Sequence, residues 1–206
     1  MSRLQWKLVK LGNITTESKE RAGDDSGLQR RPVYGVDRST GLTSAAKYIG
    51  SSLERYKILE YGMFAYNPMR LNIGSIGYCS QDIKAGLVSP DYVVFECNPE
   101  KLSPDFLRYY IDSPYWKEWV TNAGVGSVRT RIYYKELAQH PIWLPPLFEQ
   151  RAIAEILSSI DDKIANDKAI NHHLASISVT DSSPDIRRGK SVSRKVANER
   201  DSILFA

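Results

Sequence analysis

The chain has little of what chemistry at a protein site is usually built from. Of its 206 residues only two are cysteines and three are histidines. Cys79 and Cys97 lie eighteen residues apart, with no CxxC and no Cys/His spacing. Buried free thiols are therefore expected rather than a zinc site or a disulfide framework. His140 stands alone before Pro141, and His172-His173 are adjacent and so point to different faces of a helix, which leaves no ligand pair and no oriented general base. There is no Walker-type glycine-lysine loop. Gly124-Val125-Gly126-Ser127 opens like a dinucleotide loop, but it lacks the third glycine and follows a helical stretch instead of a strand. The pairs Asn67-Pro68-Met69 and Asn98-Pro99-Glu100 are not the Asn/Asp-Pro-Pro-aromatic motif of nucleic-acid amino-methyltransferases. The nearest acid-x-lysine after Pro90-Asp91 is Asp161-Asp162-Lys163, some seventy residues on, too far to be read as one metal-dependent nuclease site. No catalytic residue, metal or cofactor is expected on this chain. No window approaches eighteen apolar residues and the first residues carry no signal-peptide core, so a cytoplasmic protein without a membrane segment is expected.

What is present is ordinary in bulk and informative in pattern. Hydrophobic residues make up 42% and charged residues 25%, values typical of a globular chain. The net charge of +4 and pI near 9.0 permit an anionic partner without requiring one. Residues 15–31 and 41–52 read as loops. Strands are expected at 33–36, 58–66, 73–79 and 92–97, the last the clearest. Ser103-Pro104-Asp105 and Ser113-Pro114 each combine an N-cap with a proline at the first helical position, so two short helices in series are expected. Their apolar faces would use Phe106, Leu107, Tyr110, Ile111, Tyr115, Trp119 and Val120. The fold class is α+β (mixed α/β): a strand-rich domain over residues 1–144, one long helix over 145–175, and a flexible tail over 176–206.

The long helix follows Leu144-Pro145-Pro146-Leu147-Phe148-Glu149-Gln150-Arg151. Ile153, Ile156, Leu157, Ile160 and Ile164 recur at spacings of three and four, which is one apolar face at helical period. Some thirty residues would give a rod of about 45 Å, a strut or a pairing surface. The loops, in contrast, carry cations mixed with aromatics and amides. The residues most suited to an anionic polymer are Tyr34, Lys47, Asn67, Arg70, Asn72, Arg129, Arg131, Tyr133 and Lys135. Arginine pairs bidentately with guanine edges, asparagine with adenine, and either cation with phosphate. Any one of these is ordinarily a solvated charge, but three cations within residues 129–135 after a glycine hinge make a cluster.

The ordered set Leu144-Pro145-Pro146-Leu147-x-Glu149-Gln150-x-x-Ile153-Ala154-x-x-Leu157-x-x-x-Asp161-x-x-Ile164 resembles the DNA-specificity subunit of type I restriction-modification systems. The upstream residues agree: Trp6, Leu11-Gly12-Asn13-Ile14, Phe64-Ala65-Tyr66-Asn67 with Arg70, Gly74-x-x-Gly77, Gly86-Leu87-Val88-Ser89-Pro90-x-Tyr92-x-Val94-Phe95, and Gly126-Ser127-x-Arg129 followed by Leu137. The likeness covers residues 1 to about 174. It implies a target recognition domain that reads one half of a bipartite duplex target, followed by a coiled-coil helix that sets spacing and docks methyltransferase subunits. It also implies a subunit without chemistry of its own. S-adenosylmethionine, ATP and Mg2+ would belong to the methyltransferase and restriction partners. A complete family member has two recognition domains and two helices, whereas this chain has one of each. It is therefore expected to be a half-size subunit that forms a homodimer through the helix. The second reading is a truncated or rearranged product that serves only as an interaction or assembly module, because the helical seam turns polar at Asp167 and Asn171.

Overall fold

A computed structural model of the chain describes residues 6–44, 49–123 and 131–180, the last six as backbone only. In chain order the elements are β1 (Lys7–Lys10), β2 (Thr15–Ser18), α1 (Ser26–Gln29), β3 (Val33–Asp37), β4 (Gly41–Thr43), β5 (Lys57–Leu59), β6 (Phe64–Tyr66), β7 (Ile76–Tyr78), β8 (Gly86–Val88), β9 (Val93–Cys97), α2 (Pro104–Tyr110), α3 (Pro114–Asn122), α4 (Tyr134–Leu137), β10 (Pro141–Leu144) and α5 (Leu147–Thr180). Single 3-10 turns lie at Leu11–Asn13 and Leu71–Ile73. The chain divides into two units, Met1–Asp161 and Asp162–Ala206. The first holds all the strands described. Among the described residues the second is helix alone.

The first unit is organised around β9 and β6. Successive strand side chains point to opposite faces, and here both faces are covered. Phe64, Tyr66, Val93, Phe95 and Cys97 face a core shared with Leu107, Trp116 and Val120 of α2 and α3, while Ala65 and Val94 face a second core with Leu59, Cys79 and Val88. One sheet, in the order β2-β9-β6-β7, is antiparallel, and it lies between the helices and a second sheet, β4-β3-β8-β5. In the second sheet β3 and β8 run parallel. A third pair, β1 with β10, joins Lys7 to Leu144 in antiparallel register. Gly77 lets the two larger sheets approach: a Cβ there would lie 2.8 Å from the Leu42 side chain and 2.9 Å from its backbone nitrogen.

The structure revises several element boundaries. The stretch 58–66 is two strands in different sheets, because Gly62 turns the chain with φ 81°. Of 73–79 only Ile76–Tyr78 is strand, since Leu71–Ile73 winds as a 3-10 turn closed by left-handed Gly74. Residues 15–31 contain β2 and α1, and 41–52 contain β4. Both β2 and β4 are edge strands, where one row of backbone groups faces outward and polar side chains are tolerated, so they lack a core-strand pattern. The serine caps form as expected: Ser103 Oγ accepts from Phe106 N–H at 3.4 Å and Ser113 Oγ from Trp116 N–H at 3.3 Å. On α3, however, Tyr115 is 75% exposed and Trp116 is the buried ring. Trp116, Trp119 and Val120 share a face at spacings of three and four, and Tyr115 falls outside it. Helix α5 begins at Leu147, two residues later than expected, and its helical backbone runs to Thr180, into the stretch expected to be a flexible tail. Residues 181–206 of that tail lie outside the described residues.

Candidate nucleic-acid interface

The segment 67–75 is a rigid turn whose exposed positions carry the candidate readers. Asn67 Oδ1 accepts from Met69 N–H at 2.9 Å, Arg70 N–H reaches Asn67 O at 2.9 Å, and Ser75 N–H closes back on Arg70 O at 3.0 Å. Leu71 is fully buried and anchors the turn, while Ser75 Oγ–H ties it to Val36 O on β3 at 3.1 Å. Arg70 and Asn72 are left exposed. The chain returns to this turn after α3: Ile132, itself buried, donates its N–H to Pro68 O at 3.0 Å. Its neighbours Arg131 and Tyr133 are exposed, and Arg131 Nη1 donates to the Tyr133 hydroxyl at 3.3 Å. Glu136 Oε2 accepts from Tyr133 N–H at 3.0 Å, which caps α4, and Lys135 is exposed one residue into that helix.

The structure thus gathers Asn67, Arg70, Asn72, Arg131 and Tyr133 around one pair of hydrogen-bonded segments, with Lys135 on the adjoining helix. The Asn67 carbonyl oxygen is occupied in the turn. Tyr34 is tied to a different segment. Its hydroxyl donates to Lys84 O at 3.0 Å, its half-buried ring rests on the core around Ala65 and Cys79, and burial raises its pKa. Lys47 and Arg129 lie outside the described residues. Beside the 71–74 turn is a polar cleft of about 710 Å³, bounded by the β3–β4 hairpin on one side and α3 on the other. Its lining includes Arg38, Asn72, Asp112 and Lys117. A Cβ on Gly74 would sit 3.7 Å from Cγ of Arg38, so the hairpin arginine lies against the turn. Burial raises the Cys79 thiol to about 11 and the Cys97 thiol to about 12, with smaller contributions from Glu60 and from Glu96 and Asp105, so both are protonated near neutrality. Among the described residues no three His, Cys, Asp or Glu side chains are grouped to hold a metal ion.

A second surface surrounds the start of α5. Gln150 is fully buried. Its Oε1 accepts from Ser103 N–H at 2.9 Å, and its Nε2 donates to Lys101 O at 2.9 Å and to Pro145 O at 2.8 Å. This side chain satisfies three backbone groups where the helix leaves the domain. Ala154 is buried and Ile153 and Leu157 are half-buried along the same stripe, whereas Ile156 and Ile160 are 61% and 48% exposed. In the second unit Ile164 is also exposed. An apolar hollow of about 850 Å³ lies alongside, lined by Trp6, Leu8, Tyr110, Trp119, Trp143 and Leu157 among others. His140 forms part of its wall, 2% exposed, with Nε2 at 2.9 Å from the Tyr110 hydroxyl and its ring centre 4.5 Å from that of Trp119. Burial lowers its pKa to about 4. Sequence reasoning placed Gln150 in the family motif without assigning it a structural role, and missed the burial of His140. A further signal for Gln150 is its spacing from Ile153, Ala154 and Leu157, which places a polar residue on the inward stripe.

Comparison with known proteins agrees with this architecture. Residues 6–176 match the family described as the type I restriction modification DNA specificity domain. Over 67 residues the chain is 43% identical to the type I restriction enzyme MjaX specificity subunit of Methanocaldococcus jannaschii, covering 32% of this chain and 15% of that protein. Among solved structures, a chain from a study of complex assembly and conformational transition of the type I R-M system superposes with a TM-score of 0.62 at 18% identity, covering 84% of this chain and 47% of that one. The HsdS subunit from Thermoanaerobacter tengcongensis gives 0.56 at 18% identity, over 82% of this chain and 45% of that one. The S subunit from M. genitalium gives 0.54 at 13% identity, over 81% and 41%. These likenesses show the fold, and the chain spans less than half the length of each relative. By the family match over most of its length, the chain belongs to the type I restriction modification DNA specificity family.

Proposed function

We propose that this chain is a DNA-recognition subunit of a type I restriction-modification assembly, reading one half of a bipartite duplex target and directing partner subunits to it. The observation that carries this reading is the meeting of Arg70, Asn72, Arg131 and Tyr133 on two hydrogen-bonded segments within a chain of this family. Readers held on rigid segments lose little entropy on binding. In this reading the chain does no chemistry. Methylation with S-adenosylmethionine belongs to a methyltransferase subunit, ATP- and Mg2+-dependent cleavage belongs to a restriction subunit, and the complex works in the cytoplasm. The exposed Ile156 and Ile160 of α5 provide the surface for a second copy or for methyltransferase docking.

Methylome sequencing of a host carrying this chain with a neighbouring modification gene should reveal one modified motif. In purified form, the chain with its methyltransferase subunit should bind that motif more tightly than a scrambled duplex across a salt series. Arg131→Ala should weaken binding by about 1–3 kcal/mol if it reads a base, and Arg129→Ala by a similar amount. Equal affinity for scrambled and modified-motif duplexes at every salt concentration would rule the reading out.

A further inference from the structure

We propose that the cleft between the β3–β4 hairpin and α3 reads base edges rather than phosphates, with Arg38, Asn72 and Asp112 as specificity-determining residues. This rests on the DNA-recognition reading above and adds where, and by what chemistry, sequence is read. None of the elements forming the cleft is a segment singled out for a cation cluster in the sequence.

A surface that only holds phosphates is lined by cations and hydroxyls, and a carboxylate there would repel the backbone. This cleft is mixed: Arg38 and Lys117 line it together with Asp82 and Asp112, and Asn72 and Ile73 are on its floor. All six are exposed except for their share of the cleft wall. Those side chains match the groups that the four bases present in the major groove. Arginine and lysine donate to guanine O6 and N7, asparagine pairs with adenine N6 and N7, a carboxylate accepts from cytosine N4, and an apolar side chain meets the thymine methyl. A third cation, Arg108, also borders the cleft, but its guanidinium is 3.6 Å from Asp161 and 5.0 Å from the Tyr109 ring centre.

The hairpin is also held in place before any ligand arrives. Asp37 Oδ1 accepts both the Ser39 N–H at 2.8 Å and the Ser39 hydroxyl at 2.6 Å, and these bonds hold the Asp37 carboxylate below its ordinary pKa. Gly41 completes the turn with φ 69°. On the floor, the 3-10 turn is fixed by the buried Leu71 and the Ser75–Val36 bond. Arg38 therefore projects from a structured turn against a structured floor, the condition under which a long side chain discriminates between partners.

The test uses the full chain with its methyltransferase subunit and a pool of random-sequence duplex DNA. Bound molecules are selected and sequenced for the parent, Arg38→Ala, Asn72→Ala and Asp112→Asn, with a thermal melt to verify that each variant folds. The parent should enrich one motif. Each variant should relax one or two of its base positions, losing about 10- to 100-fold of preference there, while binding to the unselected pool changes by no more than about two-fold. Lys117→Met serves in place of any variant that does not fold. If the variants return the parental motif unchanged, or lose affinity evenly for all duplexes, the cleft does not read bases and the proposal falls while the DNA-recognition reading stands. If the parent enriches no motif, both fall.

Discussion

Gln150 shows how one side chain can decide where an element goes. Replacing it with leucine keeps the bulk but strands the Ser103 N–H and the Pro145 carbonyl inside the protein and removes the partner of the part-buried Lys101 carbonyl. Orphaned buried polar groups cost roughly 1–3 kcal/mol each when relaxation is limited. Gln150→Leu should therefore lower unfolding stability by about 3 kcal/mol, seen as a lower urea midpoint with an unchanged slope. An equal midpoint would mean that water replaces the amide. His140 makes a pH prediction of definite sign. Burial holds its folded pKa at about 4 against 6.5 for an exposed imidazole, so the unfolded chain takes up the proton first as pH falls. Its contribution to stability is complete above pH 6.5 and is lost between 6.5 and about 4, up to about 3 kcal/mol in all. His140→Phe should start less stable at pH 7 and lose less between pH 7 and 5, as measured by urea titration at each pH. Neither residue was legible in the sequence as what it is. A glutamine on a helical stripe and a histidine beside a proline acquire their roles from segments about fifty and thirty residues away, which no local pattern contains.

Elements were legible where local chemistry alone sets them. The two Ser-Pro starts specify α2 and α3 because cap and fixed φ act within one turn, and the apolar run 93–95 marks β9 because Val93, Val94 and Phe95 are buried on both faces. The 129–135 cation cluster was legible only as composition; the junction of its described part, residues 131–135, with the 67–72 turn depends on the Ile132–Pro68 bond. Edge strands β2 and β4 were missed because one side of each is free of packing demands. Gly77 marks where elements must approach rather than where one begins. With a Cβ 2.8 Å from the Leu42 side chain and 2.9 Å from its backbone nitrogen, the β4–β7 contact would have to open. Gly77→Ala should cost about 1–3 kcal/mol and raise exchange at the β3 and β4 amides before those of β9. A neutral effect on the thermal midpoint would show that β4 can shift freely.

For the whole molecule, the exposed apolar residues of α5 are the clearest departure from self-sufficiency. Ile156 and Ile160 touch too little of their own domain to be explained by its stability. Changing both to Asp should leave the thermal midpoint nearly unaltered, as exposed substitutions do, yet should abolish self-association or methyltransferase docking in sedimentation. Unchanged assembly would remove the docking role from this face. The β1–β10 ribbon has a consequence in time. It pairs Lys7 with Leu144, residues 137 apart, and closing so long a loop directly would cost about 4 kcal/mol of chain entropy, so pairings nearer in sequence form first and shorten it. The recognition domain is thus a clasp that cannot shut until nearly all of it has left the ribosome. In refolding experiments with pulsed hydrogen exchange, the ribbon amides should gain protection after those of β6 and β9. Until β10 emerges to meet it, β1 carries Leu8 without a partner strand, so the nascent chain is most prone to aggregate in that interval.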